Sequence, residues 1–412
     1  MTNKIRIELS RWWCRIVIGL SLFLIGILLV AFTYSNKIAN VTSSCPKNVA
    51  IAADPTFKNG GKVKIRADGT TMVNAKPFFP FGLYQASWES PEDNPIDHIR
   101  EIAAAGFNIV HASAIQVDNY EKFLDEANRL GVYVISRPDF NILTLVNAFK
   151  HKPAVLGWNL ADDVDNGKRT PEQVLKSHAQ VKAADPNHVT YVTGYTNQIG
   201  HFANCSDILA IQTYPVREGK QNLDTTYSKV SIAREAAAKY NKAVYVNVQA
   251  FDWATAEPDK YKNPHPPTAE EVRNMTYQAI LAGAKGIIYY SYHYRGYGGW
   301  HLPDNPELWQ GMKSLVPEIK QLSPMLLDGS LTKINTRTRD IFAGIWELKG
   351  QALAAVINTS YDRPQEVTIA LPAGLQSAQP MFPNRPAGMF VKDGKLFGLI
   401  KPLEVHIYKL EK

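Results

Sequence analysis

Residues 154–167, "AVLGWNLADDVDNG", run apolar through Val155 and Leu156, cross a Gly-Trp pair and end in two adjacent carboxylates, Asp162 and Asp163. The apolar run has the length of a buried strand, and Asp165, Asn166 and Gly167 are turn formers. The stretch reads as a strand that delivers acids to its exit. For an isolated "ADDVDNG", simple loop chemistry is the better explanation of the pair, so the neighbouring strands decide its meaning.

Similar β-branched or aromatic runs lie on both sides. Before it come "PFFPFGLYQ" (77–85), "NIVHAS" (108–113) and "VYVISRPD" (132–139). After it come "VTYVTGY" (189–195), "ILAIQTYP" (208–215), "AVYVNVQAF" (243–251) and "GIIYYSYHY" (286–294). Amphipathic stretches such as "IDHIREIAAAG" and "YEKFLDEANRLG" separate them. In "TAEEVRNMTYQAILAGAKG", Thr268 with Glu271 three residues on predicts a capping box. Eight strand–helix units in about 260 residues predict a (β/α)8 TIM barrel. No glycine-rich phosphate loop follows the first strand, which argues against a nucleotide-binding doubly wound sheet. A preceding hairpin, "GKVKIRADGTTMVNAKPFF", is expected to close the barrel bottom. From about residue 330 the helical period is lost, and short strands such as "ALAAVINTS" and "LEVHIYKL" predict an all-β sandwich.

Of the +7 formal charge, Lys4, Arg6, Arg11 and Arg15 against Glu8 concentrate +3 in the first 15 residues. They precede "CRIVIGLSLFLIGILLVAFTY" (14–34), an apolar run of the length that spans a bilayer. Basic residues before the span place the N-terminus in the cytoplasm and the rest outside, periplasmic or extracellular. A long cleaved signal peptide, leaving a secreted protein, is the competing reading. The expected organisation is residues 1–36 as cytoplasmic stub and transmembrane anchor, 37–61 as linker, 62–326 as barrel and 327–412 as sandwich.

No Lys/Arg run with interleaved aromatics suggests nucleic acid. No HExxH, CxxC or clustered His spacing suggests a metal, so no cofactor is expected. Cys45 and Cys205 have the option of pairing in an oxidising space or of remaining thiols. Sequons stand at Asn40, Asn204, Asn274 and Asn358.

The barrel strands, with "KPFFPFGLY" first, an acid-ended fourth, a "YP" sixth, "VYVNVQAF" seventh and "GAKGIIYYSY" eighth, resemble the glycoside hydrolase superfamily. The likeness extends over residues 62–412 and includes the terminal sandwich. It implies a site at the C-terminal ends of the strands and hydrolysis of O-glycosyl bonds in an oligo- or polysaccharide. The ring of strand-end residues expected to bind sugar is Tyr84, Gln85, Arg137, Asp139, Tyr214, Gln249, Asp252, Tyr292 and His293. Trp300, Trp158 and Trp253 are candidate stacking platforms, and "RGYGGW" (295–300) a candidate lid.

In the large retaining clan of that superfamily an Asn-Glu pair ends strand four and a Glu nucleophile ends strand seven. Asp162 and Asp163 fill the first two slots, whereas Gln249 fills the third and cannot attack as a carboxylate. Three explanations stay open. Asp252 or Asp139 replaces the missing acid; or the two acids act side by side; or the site binds glycan without cutting it. The second resembles O-GlcNAcase-type hexosaminidases, whose Asp-Asp pair implies an orienting Asp162 and a general acid/base Asp163. The reading reached from the sequence is a membrane-anchored glycoside hydrolase acting outside the cytoplasm. The alternative is a non-catalytic glycan-binding barrel in envelope or exopolysaccharide assembly.

Overall fold

The expected strands are apolar on both faces, and a parallel sheet closed on itself and wrapped in helices buries both. The computed structural model describes residues 61–84, 94–114, 117–138, 140–218, 223–294 and 299–412. All belong to one compact unit, Ala53–Lys412. The anchor segment 14–34, Asn40, Cys45, Gln85, Asp139 and most of the "RGYGGW" loop lie outside the described residues. Among the described residues, no helix is long and apolar enough to cross a membrane.

Three short antiparallel strands come first, β1 (Val63–Ile65), β2 (Thr71–Val73) and β3 (Lys76–Phe78). The barrel strands follow: β4 (Phe81–Tyr84), β5 (Ile109–Ala114), β6 (Tyr133–Pro138), β7 (Val155–Ala161), β8 (Val189–Gly194), β9 (Ile208–Thr213), β10 (Ala243–Gln249) and β11 (Gly286–Tyr290). They close in the order β10-β11-β4-β5-β6-β7-β8-β9, with every neighbouring pair parallel. The wrapping helices are α1 (Pro95–Ala104), α2 (Val117–Leu130), α3 (Ile142–Phe149), α4 (Pro171–Ala184), α5 (Thr225–Ala238), the single turn α6 (Trp253–Ala256), α7 (Ala269–Ala282) and α8 (Pro306–Asp328). Between β8 and β9 a 3-10 segment, Asn197–Phe202, stands in place of a helix.

Side-chain alternation splits the barrel core in two. Tyr84, Ile109, Tyr133, Leu156, Tyr191 and Tyr245 fill the interior together with Val63, Val73 and Phe78 of the first sheet. That sheet is the expected bottom closure, tied in by a 2.5 Å hydrogen bond between the Thr71 and Tyr245 hydroxyls. The opposite faces of the strands pack on the helices. Both arms of the capping box form at α7: Thr268 Oγ1 accepts from Glu271 N–H, and Glu271 accepts from Thr268 N–H.

Two expected strands are shorter than their apolar runs. "PFFPFGLYQ" divides at Pro80, which has no N–H for a ladder, into β3 and β4. "GIIYYSYHY" ends its barrel pairing at Tyr290; His293–Tyr294 then form β12, paired antiparallel with β13 (Trp300–His301).

After α8 come β14 (Ser330–Ile334), β15 (Ile341–Leu348), β16 (Gln351–Asn358), β17 (Gln365–Ala370), β18 (Ser377–Pro380), β19 (Met389–Lys392), β20 (Lys395–Ile400) and β21 (Val405–Glu411). Two sheets result, β14-β15-β16-β21-β18 and β17-β20-β19. One face of the larger sheet puts Trp346, Leu353, Ile357 and Ile407 into the core that includes α7 and α8. Its other face, with Ile345, Ala354, Val356 and Tyr408, meets the smaller sheet. Arg273 of α7 donates to Glu318 of α8 and to the carbonyl of Val405, and Asn274 donates to the carbonyls of Asn358 and Leu403. Asn274 and Asn358 are fully buried, so neither sequon is open to glycosylation in the folded chain. Cys205 is buried, and its thiol donates to the Pro171 carbonyl.

Candidate active site

In a parallel barrel the side chains that point inward at the strands' C-terminal ends share one mouth. Here they are Tyr84 of β4, His111 of β5, Arg137 of β6, Asn159 of β7, Thr193 of β8 and Gln212 of β9, around Asp162 and Asp163. Adjacent residues on a regular strand point to opposite faces, so bringing both acids inward needs an irregularity. The β7–β8 register slips between Asn159 and Ala161, and Asp163 then turns into the left-handed region at φ 51°. Upstream, Gly157 fits where a Cβ would lie 2.5 Å from the Val189 carbonyl oxygen.

The two acids have different surroundings. Asp162 Oδ1 accepts from Tyr84 Oη (2.7 Å), Asn159 Nδ2 (2.9 Å) and Thr193 Oγ1 (3.0 Å). Its Oδ2 lies 3.4 Å from Arg137 Nη1, and the side chains keep 22% and 38% of their surfaces exposed, so the pair is reachable from the mouth. Asp163 Oδ1 accepts from Gln212 Nε2 at 2.6 Å, and no hydrogen bond among the described residues reaches its Oδ2. Thr193 links the two: its hydroxyl accepts from Asp163 N–H (3.1 Å) and Gln212 Nε2 (2.9 Å) while donating to Asp162.

Burial pushes the Asp162 carboxyl up, but the Arg137 guanidinium beside it and the bonds from Tyr84 and Asn159 outweigh it. Its pKa falls below the ordinary carboxylate value. Asp163 moves the other way: burial raises it, with Asp162 and Asp165 adding to the rise against the bond from Gln212. Burial lowers His111 to about 3. Its ring is therefore neutral, stacks on Tyr84 with centroids 3.7 Å apart, and takes the Asn159 amide at Nε2 (2.9 Å). Asp165, expected as a turn former, accepts from the N–H groups of Tyr195 and Thr196 and fixes the loop after β8.

Of the residues expected to bind sugar, Tyr84 and Arg137 contact Asp162 directly. Tyr214 packs near Tyr290 and Phe251, and both acids add to the burial that raises its phenol. The others do different work. Gln249 is fully buried: its Oε1 accepts from Val216 N–H (2.8 Å) and its Nε2 donates to the Val216 (2.7 Å) and Phe251 (3.1 Å) carbonyls. It is a clamp on the loop after β9 with no polar atom left for a ligand. Asp252 caps α6 through the Ala254 N–H. Tyr292 is buried against the helix layer, donating to Glu101 of α1 and packing on Trp309 of α8. His293 clusters with His98 of α1 and His301. Trp300 is buried with its N–H on the Ser291 carbonyl, and Trp158 is buried outside the barrel with its N–H on Asp185. Trp253 stands at the mouth, edge-on to Tyr214.

Sequence reasoning missed Asn159, Thr193 and Gln212, and also Tyr290, whose ring packs against both Tyr84 and Tyr214. The signal was available: counting in twos from Ile208 and Ala210, both interior, reaches Gln212, and from Tyr191 reaches Thr193.

Among solved structures, a noncanonic maltogenic α-amylase from Thermotoga neapolitana matches with TM-score 0.56 and 10% identity over 80% of this chain and 97% of its own. An α-amylase from Geobacillus thermoleovorans, complexed with acarbose, matches at 0.55 and 10% over 81% and 98%. A glycoside hydrolase family 30 subfamily 8 xylanase from Clostridium acetobutylicum matches at 0.50 and 10% over 81% and 96%. The chain shares their barrel fold. No family model and no curated protein matches the sequence. At this identity the likeness transfers no residue's role, so the chemistry has to come from the site itself.

Proposed function

We propose that the protein is a glycoside hydrolase in which Asp163 is the general acid/base and Asp162 remains an ionised partner. The observation that carries this is the unlike surroundings of two neighbouring carboxyls: Asp162 accepts three hydrogen bonds and faces Arg137, Asp163 accepts one, and their pKa values accordingly move apart. Such a split sorts a proton-holding acid from a charge-holding one. Asp163 gives its proton to the glycosidic oxygen as the C1–O bond breaks. Positive charge building at C1 and the ring oxygen faces the Asp162 carboxylate. Water, or an acyl group of the substrate itself, supplies the electron pair to C1, and Asp163 takes back a proton. Gln249 is committed to backbone, which argues against a nucleophile on β10 and for the side-by-side arrangement.

The same clamp favours the second reading, a barrel that binds glycan without cutting it, and one substitution separates the two. With a substrate bearing a natural alcohol leaving group, Asp163→Asn should lower turnover by about 10²- to 10⁴-fold while affinity changes little. Near wild-type turnover would put the proton donor elsewhere; binding without turnover by the unaltered protein would support the second reading.

The basic-then-apolar segment ending at Tyr34 supports a tethered enzyme working on polysaccharide outside the cytoplasm. The full-length chain should then partition with membranes and be released by detergent but not by salt. Recovery from the soluble cytoplasmic fraction would overturn that location.

A further inference from the structure

At the loops after β8 and β9 stand two cations that form no ion pair among the described residues. Arg217 lies in the loop after β9; its Nε donates to the Tyr214 carbonyl (3.1 Å), and its guanidinium lies 5.2 Å over Trp253 and 5.8 Å over Tyr261. These contacts hold the fork in place, and among the described residues no acceptor engages its terminal N–H groups. Among the described residues, no carboxylate lies in ion-pair reach of it. Nearby acids are engaged otherwise: Glu218 accepts from Lys262 N–H, and Asp252 caps α6.

Lys229 of α5 repeats the pattern. Its Nζ donates to the Tyr195 carbonyl (2.6 Å) and has no ion pair among the described residues. Burial and then Arg217 lower its pKa, so the two cations feel each other. Asp165, the acid that opposes this, is held by Tyr195 and Thr196. Tyr195 itself is 41% exposed, a ring face at the same rim. An arc of like charge beside open aromatic surface is unfavourable alone and is relieved by an anion.

We propose that this arc is a subsite for a negatively charged sugar of the glycan, a uronate whose planar carboxylate meets the Arg217 fork. Lys229 adds charge, and Tyr195 offers its ring face to the pyranose. The assignment rests on the reading of the site as glycan-binding and names the substrate class: an acidic polysaccharide.

The test uses the full-length protein carrying Asp163→Asn, in detergent, on a panel of uronate-containing glycans, each beside its carboxyl-reduced counterpart. At least one uronate glycan should bind about tenfold or more tighter than its reduced form, with affinity falling as salt rises. Adding Arg217→Gln should collapse that preference to about twofold or less while thermal stability is unchanged; Arg217→Lys should restore part of it. Preference for reduced or neutral glycans, or a uronate preference that survives Arg217→Gln, overturns the subsite. Uronate binding without turnover by the unaltered protein would instead sink hydrolysis and leave the subsite standing.

Discussion

Asn159 gives one hydrogen to His111 Nε2 and the other to Asp162, an arrangement that requires His111 to be neutral. Burial supplies that neutrality by lowering the imidazole from its ordinary 6.5 to about 3. The folded value lies below the unfolded one, so this group's contribution to stability is present above about pH 6.5 and is lost as pH falls toward 3. Asp162, also depressed, gives the same sign further down, below the ordinary carboxylate value. The expected result is a melting temperature that drops steeply through the acid range. His111→Gln keeps an acceptor for Asn159 but removes the titration, and should flatten the slope between about pH 6.5 and 4. An unchanged slope in calorimetry would mean other groups control it.

At the level of strands and loops, Gln249 shows how one side chain joins two elements. Replacing it by Ala leaves the Val216 N–H and two carbonyls without partners in a buried place, costing about 2–4 kcal/mol. Urea unfolding should report that loss, and proteolysis should cut first after β9. A variant of unaltered stability with weakened glycan binding would return Gln249 to the role expected from the sequence. The structure gives Gln249 this other task for an identifiable reason: strand position predicts which way Gln249 points, but not that the loop from the neighbouring strand folds over it. The eight strands were legible because each repeats the same two-sided apolar run, and the capping box of α7 because its signal is local. Trp158 was not. The β6–β7 register shifts near Val134 and Ile135, which turns the Trp158 ring outward to Asp185. Tyr292 and Trp300 stand elsewhere than expected because β11 leaves the barrel after Tyr290, four residues before its apolar run ends.

Across the whole folded unit, the sandwich is joined to the barrel by a buried polar core as well as by apolar contact. Glu318, 4% exposed, accepts from Arg273, Arg385 and Tyr277, and Arg273 also reaches Val405 of β21. Glu318→Gln would leave the buried Arg273 charge unmatched, and should cost about 3–5 kcal/mol. Because the larger sheet puts one face into the core of α7 and α8 and the other into the sandwich core, barrel and sandwich should still unfold in one transition, only earlier. Two separated transitions in calorimetry would show that the modules are energetically independent. This coupling was not legible in the sequence: the changes of period marked where each module starts, but nothing local pairs Asn274 with Asn358 or Glu271 with Tyr361.

The left-handed backbone at Asp163 also restricts which amino acids the position can hold. Few side chains sit comfortably there; glycine, asparagine and aspartate are the usual occupants. Of those three only aspartate carries an acidic proton. A glutamate, with its longer reach, would fit the chemistry but not the turn. The choice of acid at this mouth is thus dictated by chain geometry before reactivity enters, and in the proposed role of Asp163 a sugar would have to come one methylene closer to the barrel to be protonated.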